Sequence, residues 1–369
     1  MKILSFHPFS LFANGGGNRI LRRLYQGREA QVTSLVVEGV TPGLPKGNIT
    51  EVAVYAFPIT RWWMKWRLRN LAIWLRQRLF RGFTIRKIQR AAKTIQYDVL
   101  HVVNHGVFSA ALCHSQFLNG KQLWVSFHDH FSTSHSAVDD TRQLWRRADR
   151  RLVISAEMGN EYARLFGNMN FEIITDGVMP EEVSQAAKDV ATPCKIYFAG
   201  LLHLHYMPLF EVLANTLDSL SRGGHSFKLI LRGTQQLRFL NGRLFETEYR
   251  PVTLNDAELK AELDAADLLY LPIKFTTPDF YRYSLSTKMV GYLGAPGSIL
   301  YHGPKDSAAC HLLDKSNAAV CCTTLNADEL AECIKLVLSR QVQVSQNAKQ
   351  LARLQFDLPA IQKRFWQQQ

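Results

Sequence analysis

The sequence predicts an α/β protein built from two doubly wound, parallel-sheet domains joined by a short connection. Three observations carry this. At 369 residues the chain exceeds what one hydrophobic core ordinarily serves, so two domains of similar size are expected. Short, nearly continuous apolar strands alternate with amphipathic helices through both halves, the pattern of a sheet covered on both faces. The alternation is interrupted over 178–194, where the chain turns polar and acidic and carries two prolines.

The first half opens with a strand at 2–6. A loop ending Asn14-Gly15-Gly16-Gly17-Asn18 then leads into a helix over 19–25. Glycines between a first strand and a first helix let a ligand approach the backbone with the helix N-terminus behind it. The run is not the GxGxxG dinucleotide fingerprint, and a plain tight turn explains it as well. Further strands are expected at 32–37, 51–55, 98–103, 123–127, 151–155 and 171–175, with helices near 107–117 and at 157–166. In such sheets ligands gather at the carboxyl ends of the strands. The glycine loop, Asn104-His105 and His128-Asp129-His130 all follow strand ends and are expected to share one wall of a cleft. A histidine after a strand is more often structural than catalytic; three polar clusters on one edge point to a site.

The second half repeats the alternation, with strands at 195–198, 227–231, 268–271, 298–301 and 318–322 and helices at 208–220, before Asp267 and at 327–338. Its most informative stretch runs from Tyr283 to Leu300. Ser284, Ser286, Thr287 and Lys288 stand at a helix start, Met289, Tyr292 and Leu293 follow at helical spacing, and Pro296-Gly297 breaks the helix before a strand. Unpaired N–H groups, the positive end of the helix dipole, hydroxyls and a lysine together make a phosphate cradle. In isolation the stretch also reads as a capped helix with a solvated lysine.

The net charge is +13, and its location matters more than its size. Between Arg61 and Lys93 there are eleven Lys/Arg and no Asp or Glu, with Trp62, Trp63, Trp66 and Trp74 among them. On a helical projection Met64, Leu68, Leu71, Leu75 and Leu79 form one apolar stripe, expected to face a core. Trp62, Trp66 and Ile73, flanked by Lys65, Arg69 and Arg76, form another. Tryptophan beside basic residues suits an anionic membrane surface; a solvated basic helix with inward tryptophans is the plainer reading. Nucleic acid is not expected as a partner, because no recognition motif accompanies the charge. No apolar run reaches membrane-spanning length, and 3–13 is broken by His7 and Pro8, so a cytoplasmic protein without a signal peptide is expected. Six cysteines without metal spacing predict neither disulfide nor zinc.

Taken together, Asp98-Val99-Leu100-His101, Phe127-His128-Asp129, Ala148-Asp149, Asp176-Gly177-Val178, Phe198-Ala199-Gly200, Ala266-Asp267-Leu268-Leu269, and Ser286-Thr287-Lys288 with Tyr292-Leu293 resemble, in order and spacing, a GT-B glycosyltransferase close to the retaining family four. The resemblance implies two Rossmann-like domains facing each other across a cleft. The first (1–177) would take the acceptor and the second (195–350) a nucleotide-sugar, with 178–194 as linker and a C-terminal helix over 351–369 crossing back to the first domain. It places His128 and Asp129 at the reacting sugar, and Asn104 and His105 on the acceptor side. Gly15, Gly16, Gly17, Ser286, Thr287 and Lys288 would lie at the diphosphate. The sequence also departs from the family. Two family glutamates fall on Tyr283 and Gly291, the Gly before the next strand becomes Pro296, and Leu201 replaces a diphosphate-binding Arg. Arg232 and Lys288 are the substitute cations, and Asp279, Tyr283 and Ser284 the candidates for sugar or nucleoside contacts. No metal is demanded and no cofactor beyond the nucleotide-sugar substrate.

Two functions follow. The first is a bacterial, metal-independent glycosyltransferase of polysaccharide biosynthesis. It would act at the inner membrane face on a lipid-linked or cell-envelope glycan acceptor, with stereochemistry left open by the residues. The second is a catalytically silent scaffold of the same fold that binds membrane or a protein partner.

Overall fold

The computed structural model describes residues 1–13, 15–37, 47–56, 69–186, 188–200, 202, 204–253 and 255–367, with backbone alone at 69, 70 and 73. The chain divides into two compact units, Met1–Thr175 and Asp176–Gln369. The first holds strands β1 (Ile3–His7), β2 (Val32–Val36), β3 (Thr50–Ala53), β4 (Val99–Val103), β5 (Gln122–Phe127), β6 (Arg150–Val153) and β7 (Glu172–Ile173), in the order β3-β2-β1-β4-β5-β6-β7. The second holds β8 (Cys194–Ala199), β9 (Phe227–Arg232), β10 (Glu246–Arg250), β11 (Leu268–Pro272), β12 (Ser298–His302) and β13 (Val320–Cys322), in the order β10-β9-β8-β11-β12-β13. All these pairings are parallel. In both sheets the order reverses beside the first strand, and there the crevice at the carboxyl ends opens.

A repeated device sets the register. Asp98, Asp149 and Asp267 each stand immediately before a strand, and each exchanges two hydrogen bonds with the neighbouring strand. The Asp98 carboxylate accepts Lys2 N–H (2.7 Å) and its own N–H reaches Lys2 O (2.9 Å). Asp149 does the same with Leu123 (2.7 and 2.8 Å), and Asp267 with Lys195 (2.8 and 2.9 Å). A carboxylate that satisfies an N–H at the start of a neighbouring strand fixes where pairing begins.

Both faces of the second sheet are buried, as near-continuous apolar strands require. Tyr197, Leu269, Leu271, Ile299 and Tyr301 pack on one side and Ile196, Phe198, Leu268, Tyr270 and Leu300 on the other, at period two. In the first unit Phe127, Trp145 and Tyr162 meet edge to face beneath the end of β5.

Several expectations are corrected. Only Ser115–Leu118 is helical in the stretch 107–117, the rest being turns. The edge strand β10 was not expected, because its sequence ETEYR alternates polar residues without an apolar face. Residues 178–194 are not a free linker. Val183 is buried in the second core, Ser184 N–H bonds Gly294 O (2.8 Å), and Lys188 pairs with Asp267 (3.0 Å). The C-terminal segment is two helices, Gln341–Gln355 and Leu358–Trp366, interrupted where Asp357 caps the second through Ala360 N–H. At the junction Val178 N–H bonds Phe356 O and Leu358 N–H bonds Val178 O, fastening the start of the second unit to this break.

The basic segment turns the opposite way from the projection. Trp62, Lys65 and Trp66 lie outside the described residues, as does the Arg69 side chain. Helices Arg69–Arg78 and Arg81–Lys93 bury Ala72, Thr84, Ile88 and Ala92, whereas Leu71, Trp74, Leu79 and Phe83 are exposed. Arg76, assigned to a membrane face, is buried with its guanidinium over Phe108 (5.6 Å). Small residues let these helices approach the domain closely, and the larger apolar side chains are left outside.

Two glycines separate packing from propensity. A Cβ on Gly297 would lie 2.6 Å from Ala266 O, whereas one on Gly291, within a helix, would meet nothing within 4 Å. Gly297→Ala is expected to lower unfolding free energy by about 1–3 kcal/mol. Gly291→Ala is expected to raise it by up to about 1 kcal/mol, both measured by urea denaturation.

Candidate functional site

In the first unit the loop between β1 and helix Gly16–Tyr25 is held from below. Glu51, on β3, accepts Ser10 Oγ and Leu11 N–H, both at 2.7 Å. Arg22 and Asn18 bond the Ala13 carbonyl from the helix side, each at 3.2 Å. Gly15 and Gly16 are exposed at the head of the helix, and no side chain caps it, so its first N–H groups are available. A Cβ on Gly17 would come within 3.2 Å of His128 Nδ1; the absence of a side chain is what lets the histidine reach this turn. The expected juxtaposition of glycine loop and His128 is therefore present. Glu51, Asn18 and Arg22 were missed, since their role lies in contacts that the sequence spacing does not signal.

His128 is buried, and burial first, then His105 and His7, lowers its pKa to about 4. His7 is likewise lowered to about 4 by burial, and its ring joins Ser34 Oγ (3.0 Å) to Phe9 O. His105 sets its ring edge-on to Phe9 at 4.8 Å. His101 lies deeper, with Tyr25 OH at 2.6 Å and Ser126 Oγ at 2.7 Å, and burial holds it well below the ordinary histidine value. At pH 7 His7, His101 and His128 are neutral imidazoles, suited to exchanging hydrogen bonds rather than to carrying charge. Asp129 follows half-buried. Asn104 gives its amide to Thr141 Oγ1 (3.2 Å) while its Oδ1 meets no donor among the described residues.

In the second unit the cations separate. Arg232, at the end of β9, is not available to a ligand. Its guanidinium is spent on Glu262, on Glu258 (2.7 Å) and on Pro251 O (2.5 Å), and Glu262 also takes Tyr197 OH (2.6 Å) and Arg250 (2.7 Å). Burial opposes the Glu262 charge, but the hydrogen bonds from Arg232, Tyr197 and Arg250 outweigh it and hold the carboxyl down to about 2. This is a structural ion network.

Lys288 is the contrast. Helix Thr287–Leu293 is anchored where Tyr292 OH accepts Ala199 N–H (3.3 Å), and one turn earlier Lys288 lies against Gly200 at the end of β8. A Cβ on Gly200, whose φ is +142°, would sit 2.8 Å from Lys288 Nζ. The ammonium lies over the Phe198 ring (4.6 Å) and near that of Tyr206 (5.9 Å), and among the described residues it forms no ion pair. Burial alone lowers its pKa to about 8. Ser286 stands before this helix without capping it, leaving its hydroxyl uncommitted to the cap, and Thr287 is its first residue. Asp279 and Tyr283 lie on the preceding short helix, Pro278–Tyr283, and Ser284 ends it. That helix is held to the chain before helix Ala308–Lys315 by Arg282–Asp306 (2.8 Å).

With this geometry in hand, the chain is similar to solved structures over nearly its whole length. Anabaena Alr3699/HepE in complex with UDP-glucose superposes with a TM-score of 0.67 at 15% identity, over 99% of this chain and 98% of that one. Trehalose-6-phosphate synthase OtsA gives 0.65 at 12%, over 99% and 98%. A glycosyltransferase from Rickettsia africae ESF-5 gives 0.66 at 11%, over 99% and 96%. The chain has the GT-B fold. Residues 14–182 match the family model described as Glycosyltransferase Family 4, so the first half of this GT-B chain carries the family signal. No curated protein sequence matches the chain.

The Lys288 environment has a thermodynamic signature. Because its pKa is lowered from the ordinary 10.5 to about 8, the folded state prefers the neutral amine. The penalty on folding is full below about pH 8 and is relieved as pH rises toward 10.5. Lys288→Met is therefore expected to raise Tm at pH 7 and to lose that advantage by pH 10.5, checked by thermal melts across pH.

Proposed function

We propose that the protein is a nucleotide-sugar-dependent glycosyltransferase in which the second domain binds the donor diphosphate through Lys288. The observation that carries this reading is a half-buried lysine that has no carboxylate partner among the described residues, held against a glycine at the carboxyl end of a parallel strand. Such a charge costs stability and is explained by an anionic ligand. The HepE and OtsA structures support it, the former solved with UDP-glucose and the latter's enzyme studied for transfer with retention. On this reading Lys288, with Ser286, Thr287 and the helix N–H groups, stabilises the negative charge that develops on the leaving diphosphate. Positioning and electrostatics supply the rate, without a metal and with retention. Asp279, Tyr283 and Ser284 face sugar or nucleoside; Gly15, Gly16 and Gly17 serve the diphosphate-sugar from the first domain. Neutral His128, with Asp129, orients the acceptor hydroxyl beside Asn104 and His105. The retained Lys288 favours an active enzyme over a silent scaffold.

The acceptor in this reading is a lipid-linked or envelope glycan, met at the anionic inner face of the membrane. No described helix is long and apolar enough to cross a membrane. Support comes from exposed Trp74 (53%), Leu79 (65%) and Phe83 (45%) among the exposed basic residues Arg78, Arg86, Lys87 and Arg90. This face replaces the one built on Arg76.

Calorimetric titration of UDP tests the donor assignment. Affinity is expected to be flat between about pH 7 and pH 8, where the terminal phosphate of UDP is already ionised, and to fall above about pH 8 as Lys288 loses its proton, and Lys288→Met should remove most of it. Binding that Lys288→Met leaves untouched takes Lys288 out of the site. His128→Ala should lower kcat by at least about tenfold while leaving UDP affinity unchanged; equal loss of both would make the histidine structural. For the membrane face, Trp74→Ser with Phe83→Ser should weaken binding to anionic vesicles at every salt concentration. Arg78, Arg86 and Arg90 changed to Gln should weaken it mainly at low salt. Vesicle binding unaffected by both sets would overturn that surface.

A further inference from the structure

A cavity of about 200 Å³ lies between Ser184, Gln185, Ala186 and Lys188 on one side and the helix Gln341–Gln355 on the other. Lys188, Lys349 and Arg353 line it with Ser345 and Gln346, and among the described residues no carboxylate does. Lys188 has a partner, since it neutralises Asp267 at 3.0 Å. The other two cations do not. Lys349, 6% exposed, gives one hydrogen bond to Ala186 O (2.7 Å), and the Arg353 guanidinium gives one to Gln185 Oε1 (3.3 Å). Neither forms an ion pair among the described residues. Burial first, then the charge of Arg353, lowers the Lys349 pKa. Asp264 opposes this, and it is itself paired with Lys260 at 2.6 Å.

Two like charges drawn together, one of them desolvated, leave an electrostatic debt that a bound anion settles. Both are long, rotatable donors with most of their hydrogen-bonding capacity unused, and Gln346 adds a neutral amide. The cavity is smaller than the roughly 300 Å³ at which pockets for drug-sized ligands begin, so it does not suit a whole nucleotide-sugar. Nor is it part of the donor site. Asp267 and Lys188 stand at the amino end of β8, where Asp267 accepts Lys195 N–H, whereas Gly200 and Lys288 stand at its carboxyl end. Six residues of strand separate the two ends by about 20 Å.

We propose that this cavity is a second anion site, which takes the phosphoryl group of a small phosphorylated molecule on Lys349 and Arg353. The ligand ties the Gln185-Ala186 turn to the helix Gln341–Gln355, so its binding stabilises the second domain by mass action. The site stands independently of the glycosyltransferase reading.

The test uses the full chain, with orthophosphate and glucose 6-phosphate as probes, titrated at constant ionic strength by thermal melts and calorimetry. Both probes are expected to raise Tm in wild type and in Lys288→Gln, with glucose 6-phosphate the tighter. Arg353→Gln, at an exposed position that leaves folding intact, should weaken both about tenfold, and Arg353→Lys should restore most of the affinity. UDP affinity should be unchanged in Arg353→Gln. Lys349→Gln with Arg353→Gln should abolish the shift. No shift in wild type, or a shift that Lys288→Gln removes and Arg353→Gln keeps, overturns the proposal. Equal affinity for the two probes overturns the organic half of the ligand.

Discussion

The carboxylates of Asp98, Asp149 and Asp267 are the constraint on which the two sheets depend. Each joins an N–H at the start of one strand to the start of its neighbour, and in a parallel sheet that choice propagates along the strand to the opposite end. A slip of one residue would exchange the faces of β11 and send Leu269 and Leu271 into the layer of Leu268 and Tyr270. It would also move the ends of β1, β4, β5 and β8, where His7, Asn104, His128 and Gly200 stand. The edge that carries the candidate residues is thus positioned from the far edge of each sheet.

What the site then does with charge follows from partner supply. Arg232 ends one strand of the second sheet and Lys288 reaches the end of another from its helix, and from composition alone either could meet a diphosphate. Helix Asp256–Ala265 delivers Glu258 and Glu262 to the first and nothing to the second. A guanidinium with two carboxylates and a carbonyl has its charge already matched, and removing it would leave Glu262 with Arg250 and Tyr197 alone. An ammonium over two aromatic rings has its full charge to give. The stability lost by burying Lys288 unpaired is of the kind that folded proteins keep at sites where a ligand supplies the missing charge.

The legible part of the fold was the alternation. Strands with apolar residues on both faces, from β1 through β12, announced themselves, and the Asp-led motifs marked their starts. β10 did not, because Glu246, Thr247 and Glu248 give an edge strand no apolar period, and the turns over 107–114 mimic a helix in composition. For the candidate residues, local signals gave the placement. Gly17, His128 and Lys288 stand where their spacing from strand and helix ends put them. Arg232 failed because its partners lie 26 and 30 residues away on another element. Arg76 failed because helical projection reveals which residues share a face, and does not reveal which face the domain covers.

That last failure has a physical reason that bears on the surface itself. A helix chooses its buried face by how closely it can approach, as well as by how apolar the face is. Ala72, Thr84, Ile88 and Ala92 offer a narrow, mostly small stripe that packs tightly, whereas Trp74, Leu79 and Phe83 would hold the helices off the domain. Exposed aromatic and aliphatic groups scattered singly are ordinary, but here they lie within ten residues of one another and among arginines and lysines. Lys87 lies over the Phe83 ring at 4.8 Å, which keeps that ring at the surface beside a charge. The geometry that overturned the sequence-based orientation of this segment therefore leaves its large apolar side chains outward and its basic residues around them, the arrangement that an anionic interface requires.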